Sequence, residues 1–148
     1  MLRWLIATLH LLALPLGLGA IWARSRALTL ARSADDLHRV FMADNLWGLA
    51  AILWLVTGLV RVFAGLEKGT SYYLHDRVFY AKMGLFIVIL LLELRPMVTL
   101  IRWRAALRRG VAVDMALARS LARISQMQAG VVVLMVFAAT ALARGFFF

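Results

Sequence analysis

The chain has 148 residues, 64% of them hydrophobic, with a mean hydropathy of +0.88 and a formal net charge of +10. So apolar a composition in so short a chain excludes an ordinary water-soluble domain and describes a single integral membrane domain over residues 1–148. It has no cysteine, which removes disulfides, thiolate metal sites, iron–sulfur ligation and covalent haem attachment, so any cofactor is held by histidine, lysine, carboxylate or packing.

The first predicted element is an apolar helix over 4–23, close to the roughly 20 residues needed to cross a bilayer. Ala7, His10, Ala13, Gly17 and Ala20 share one side of it, leaving room beside the imidazole. The segment has the outline of a secretory signal, but Arg24, Arg26, Arg32 and Arg39 follow it and oppose signal-like insertion, so it is expected to be retained. The second span, 45–63, repeats Trp47, Trp54 and Arg61 every seventh residue with Gly58 close by, and Asp44 just before it is placed to cap its N-terminus. The third, 78–100, follows "SYYLHDR" and carries Lys82, Ile89 and Glu93 on one stripe with His75 seven residues earlier. "VAVDMALARSLARISQMQ" then alternates apolar and basic positions at helical spacing, predicting an interfacial segment that runs into the fourth span, 127–143.

Backbone groups in hydrocarbon must be satisfied within each segment, so the fold class expected is all-α, a four-helix transmembrane bundle. The arginines lie in short connections beside apolar runs rather than among aromatics on a polar face. That favours contact with membrane lipids over nucleic acid. Loops one and three hold Arg24, Arg26, Arg32, Arg39, Arg102, Arg104, Arg108, Arg109, Arg119 and Arg123, against Arg3, Lys68, Arg77 and Arg144 on the other side. By the positive-inside rule loops one and three are cytoplasmic and both termini outside, in a bacterial inner membrane.

An ionisable group in a span costs about 2.5–3.5 kcal/mol at the bilayer centre, so each needs an account. His10 lies about 9 Å and Lys82 about 6 Å in from the outer ends of their helices, at about 1.5 Å per residue. Because the helices alternate in direction, His10, Arg61, Lys82 and His75 gather in the outer half. A histidine beside small residues, an aromatic wall and basic groups near the surface are the parts of a b-type haem pocket, with imidazole on iron and Arg or Lys on the propionates. Each part has a rival: the small stripe as a helix–helix contact, Arg61 and Lys82 as snorkelling cations, His10 as a satisfied interhelical hydrogen bond. Trp4, Trp22, Trp47 and Trp103 read as interfacial, with Trp54 deep. Tyr72 and Tyr73 read as an aromatic belt or as propionate partners. Glu93 is expected to pair with an arginine from a neighbouring helix or loop.

"ADNLWGLAAILWLVTGLVR", "GTSYYLHDRVFYAKMGLF" and "RPMVTLIRWR" resemble a bacterial family of four-span membrane proteins of unknown function. The wider grouping is similar to CopD-type copper-resistance membrane proteins and HemJ-type protoporphyrinogen oxidases. In HemJ-type proteins a histidine early in the first helix and a lysine early in the third are the functional pair, and haem b is bound; the resemblance sets His10 and Lys82 at those positions. The resemblance implies haem b on His10; it does not carry the oxidase activity over, and it gives His75 no counterpart, so that residue stays open as a second metal ligand, a loop residue or a proton group. Taken with the outer-half cluster, the expected function is electron transfer or porphyrinogen oxidation towards a quinone or other redox partner, with Lys82 and Arg61 as propionate or substrate partners. The rival function is a non-catalytic subunit of a larger respiratory or photosynthetic membrane complex. A CopD-like copper role is weakened by scattered methionines and the lack of cysteine.

Overall fold

The computed structural model describes residues 1–64 and 77–144, and every regular element among them is helical. Helix α1 spans Leu2–Leu30, α2 Leu37–Phe63, α3 Arg77–Arg108 and α4 Ala118–Arg144, with short 3-10 turns at Ala34–Asp36 and Met115–Leu117. All four are long and apolar enough to cross a membrane. They run for 29, 27, 32 and 27 residues, so each continues past the roughly 20 residues that hydrocarbon requires. Most of the added length is at the end rich in arginine, called here the basic end.

That extension revises two expectations. Arg24 belongs to α1 rather than to a loop. Asp44 lies two turns inside α2 and caps nothing; the chain enters that helix through a turn in which the Asp36 carboxylate accepts the N–H groups of Arg32 at 2.9 Å and Ser33 at 3.1 Å. The segment before the fourth span runs into α4 as its spacing predicts, through the turn at Met115–Leu117, and the opening of the helix packs one side on the bundle. Ala118, Leu121, Ala122 and Ser125 are buried there, while Arg119 and Arg123 are exposed on the other side. Helix α3 stops at Gly110, whose φ of +69° is open to glycine. The Val111 and Gly110 N–H groups close the last turn on the Ala106 and Leu107 carbonyls.

The neighbouring pairs are α1 with α2, α1 with α4, and α3 with α4; α2 and α3 meet through side chains. One core, towards the end away from the arginines, gathers Ala13, Ala20, Ile21, Trp47, Trp54, Ile89, Val132 and Met135. The second, at the basic end, gathers Leu28, Leu37, Val40, Leu100, Trp103, Ala118, Leu121 and Ala122. Trp47 and Trp103 are therefore core residues and not members of an interfacial belt; Trp4 and Trp22 are exposed. Leucines and isoleucines such as Leu12, Leu49, Ile52 and Leu91 cover the outside, as a surface solvated by acyl chains requires.

The small stripe of α1 is the close approach to α2. A Cβ added at Gly17 would stand 3.1 Å from Trp47 Cζ3 and 3.6 Å from Ala50 Cβ. Gly17→Leu therefore has to push the two helices apart. The expected loss is about 1–3 kcal/mol, the usual cost of overpacking, read from denaturant unfolding in micelles. An unchanged midpoint would mean that α1 and α2 do not pack this way.

Candidate functional site

Two polar constellations interrupt the apolar interior, one in each half of the bundle. In the half away from the basic end, His10, Trp54, Gly58, Arg61, Phe79, Lys82, Phe86 and Met135 help to line a cavity of about 270 Å³. All four helices contribute to it. His10, Arg61 and Lys82, named from depth along separate helices, thus come together around one space. His75, the fourth residue of that set, lies outside the described residues, as do Tyr72 and Tyr73.

His10 is buried, and its ring is held on both sides. The Trp54 indole N–H donates to Nε2 at 3.1 Å, and Nδ1 lies 2.9 Å from Thr57 Oγ1. An indole nitrogen can only donate. The Thr57 hydroxyl places its proton on the Leu53 carbonyl at 2.6 Å, so its oxygen accepts from the ring. These partners assign the proton to Nδ1 and the lone pair to Nε2. Gly58 makes room for the ring: a Cβ there would meet His10 Cε1 at 3.3 Å. The Trp54 ring stands 5.8 Å from the imidazole at 29° and meets Phe86 of α3 edge-on at 5.7 Å. Through this row α1, α2 and α3 touch across the cavity.

For an iron-bound tetrapyrrole the lining fits in its aromatic faces and its two basic groups. A ring N–H held by a hydroxyl is the outer support that ligating histidines normally have. At Nε2 the geometry differs, because the lone pair already accepts the Trp54 N–H. Ligation would exchange that hydrogen bond for a metal bond. At about 270 Å³ the cavity is also just below the usual range of about 300–1,000 Å³ for small-molecule sites. Turning the Trp54 indole aside would both uncover Nε2 and enlarge the space.

The second constellation centres on Arg24, fully buried in α1. Its Nε donates to Ser125 Oγ at 3.1 Å; Nη1 donates to Asp44 Oδ1 and Glu93 Oε1, and Nη2 to Glu93 Oε2 and Gln128 Oε1, all at 2.8 Å. A guanidinium has five N–H groups, and each is accounted for. The Glu93 pair is the two-pronged arrangement that makes arginine–carboxylate bonds strong. Gln128 turns its amide nitrogen to Glu93 Oε2 at 2.8 Å, and Asp44 takes a second arginine, Arg104, at 2.8 Å. Helices α1, α2, α3 and α4 are thereby tied to one another at a single guanidinium.

The expected partner of Glu93 is thus Arg24, and Arg95 is exposed. Sequence reasoning missed Arg24 itself, together with Ser125 and Gln128. A signal was present: His10, Ala13, Gly17, Ala20 and Arg24 recur at spacings of three and four, so Arg24 continues the inward stripe of α1.

Four apolar helices, clamped by a buried arginine at one end and enclosing an aromatic cavity at the other, define a multi-pass membrane protein of the helical-bundle class. The family model described as Predicted membrane protein (DUF2214) matches residues 2–146. The chain belongs to that family. No curated protein and no solved structure matches it.

Proposed function

We propose that the protein binds a flat, amphipathic anion of the tetrapyrrole class in the cavity between His10, Arg61 and Lys82, with haem b as the specific ligand. The observation that carries this reading is the convergence of those three side chains, from three different helices, on one space walled by Trp54, Phe79 and Phe86. Arg61 and Lys82 would hold carboxylate groups at the cavity rim, the aromatic rings would cover the flat faces, and His10 would ligate iron once the Trp54 bond is released. Haem supplies one-electron chemistry when bound. Electron transfer or porphyrinogen oxidation, with a quinone or another membrane redox partner as acceptor, is the activity class this supports. The arginine distribution supports a bacterial inner membrane with the basic end in the cytoplasm and the cavity in the outer half.

A second reading is favoured by one observation: both ring nitrogens of His10 are satisfied by protein groups. The imidazole then clamps α1 to α2, and the chain is a non-catalytic subunit of a larger membrane complex. An absorption spectrum of the purified protein, oxidised and dithionite-reduced, separates the two. The first reading expects a Soret band that His10→Ala abolishes; no band and no extractable haem would leave only the clamp.

A further inference from the structure

At the basic end, between α2 and α3, a recess of about 520 Å³ is lined by Phe41, Asn45, Arg104, Leu107 and Arg108. Arg104 uses one terminal nitrogen, Nη2, for all its described hydrogen bonds: to Asp44 Oδ2 at 2.8 Å, Asn45 Oδ1 at 2.9 Å and the Phe41 carbonyl at 3.3 Å. The N–H groups on its Nε and Nη1 have no acceptor among the described residues, and its guanidinium lies 4.9 Å over the Phe41 ring. Arg108 is exposed and forms no ion pair among the described residues. Positive charge is in surplus here. Asp44 is already shared by Arg24 and Arg104, and Glu93 is paired with Arg24, so Arg108 adds a charge that no carboxylate among the described residues balances.

The depth of the recess can be read from α3. Its exposed large apolar side chains continue through Leu94, Met97, Val98 and Ile101 and then stop. Arg104 and Arg108 follow about 4.5 and 10.5 Å further along the axis, at about 1.5 Å per residue. They therefore stand where hydrocarbon gives way to headgroups. Oriented donors in surplus, beside the apolar surfaces of Phe41 and Leu107, match a ligand with an anionic head and an apolar body.

We infer that this recess binds the phosphate of an anionic phospholipid. Arg104 and Arg108 donate to the phosphate oxygens, in the planar geometry that suits guanidinium to phosphate, and Phe41 and Leu107 meet the glycerol and first acyl carbons. Basic pockets between helices at a membrane surface are established places for such headgroups.

Native mass spectrometry of the full chain in micelles, with equal amounts of phosphatidylglycerol and phosphatidylcholine, tests this. The wild type is expected to retain phosphatidylglycerol preferentially, and Arg108→Gln to lower that retention about tenfold through loss of a charge-assisted contact. Arg102→Gln, at an exposed arginine on the same helix outside the recess, should leave it unchanged. Equal loss in both variants, or no preference between the two lipids, overturns the site. Displacement of the lipid by millimolar inorganic phosphate assigns the recess to the free anion and overturns the lipid.

Discussion

Arg24→Met is expected to lower the stability of the protein by about 3–5 kcal/mol, the cost of removing one partner from a buried ion pair. Asp44 would keep Arg104, but Glu93 would retain only the Gln128 amide in an interior built for a paired carboxylate. Arg24→Lys should recover only part of the loss, because an ammonium offers three donors from one point where five directed N–H groups are used. The diagnostic variant combines Arg24→Met with Glu93→Gln. Removing the stranded charge should return stability towards the wild type, giving a coupling energy in a double-mutant cycle. Unfolding in detergent followed by tryptophan fluorescence reads all three. An Arg24→Met protein within about 1 kcal/mol of wild type would show that the five bonds contribute little net energy, as happens when desolvation offsets Coulomb attraction.

His10→Leu is the second large effect. It leaves the buried Trp54 N–H without its acceptor, at a cost of about 1–3 kcal/mol. Changing both partners, His10→Leu with Trp54→Phe, should recover most of that loss, since replacing both members of a buried pair by apolar groups is close to neutral. Trp54→Phe alone has a different meaning under the two functional readings. If His10 is only a clamp, the variant exposes an unsatisfied Nε2 and loses stability with no change in the spectrum. If His10 is a ligand, the same variant removes the group covering Nε2, and haem occupancy after reconstitution should rise. Thermal unfolding and a haem titration on the same samples decide between these outcomes; the stability recovery in the double variant with no haem uptake is expected under both.

The buried arginine also explains how an assembly of apolar helices in an apolar solvent keeps one register. Lipid tails are as apolar as leucine, so burying leucine between helices has little driving force, and close packing and interhelical hydrogen bonds take over. The chain uses both. Gly17 against Trp47 brings α1 and α2 together, and the Arg24 bonds fix α3 and α4 relative to that pair. Sliding any helix by one turn would move an acceptor about 5.4 Å away from the guanidinium.

Four apolar helices, the inward side of α1 and the gathering of His10, Arg61 and Lys82 in one half were all legible in the sequence. Each follows from hydropathy, helical period and alternation of direction, which are properties of neighbouring residues. The partners of Arg24 and the fates of Asp44 and Trp47 were not legible. Spacing puts Arg24 on the inward stripe of α1, but its acceptors arrive from positions 20, 69, 101 and 104 residues away, and Trp47 looks interfacial until Gly17 lets it lie against α1. Whether a polar or amphipathic side chain near a helix end turns outward to headgroups or inward to partners depends on what the other three helices present at that height. Only the assembled bundle supplies that information, because the desolvation cost of an inward charge is offset by groups remote in the chain.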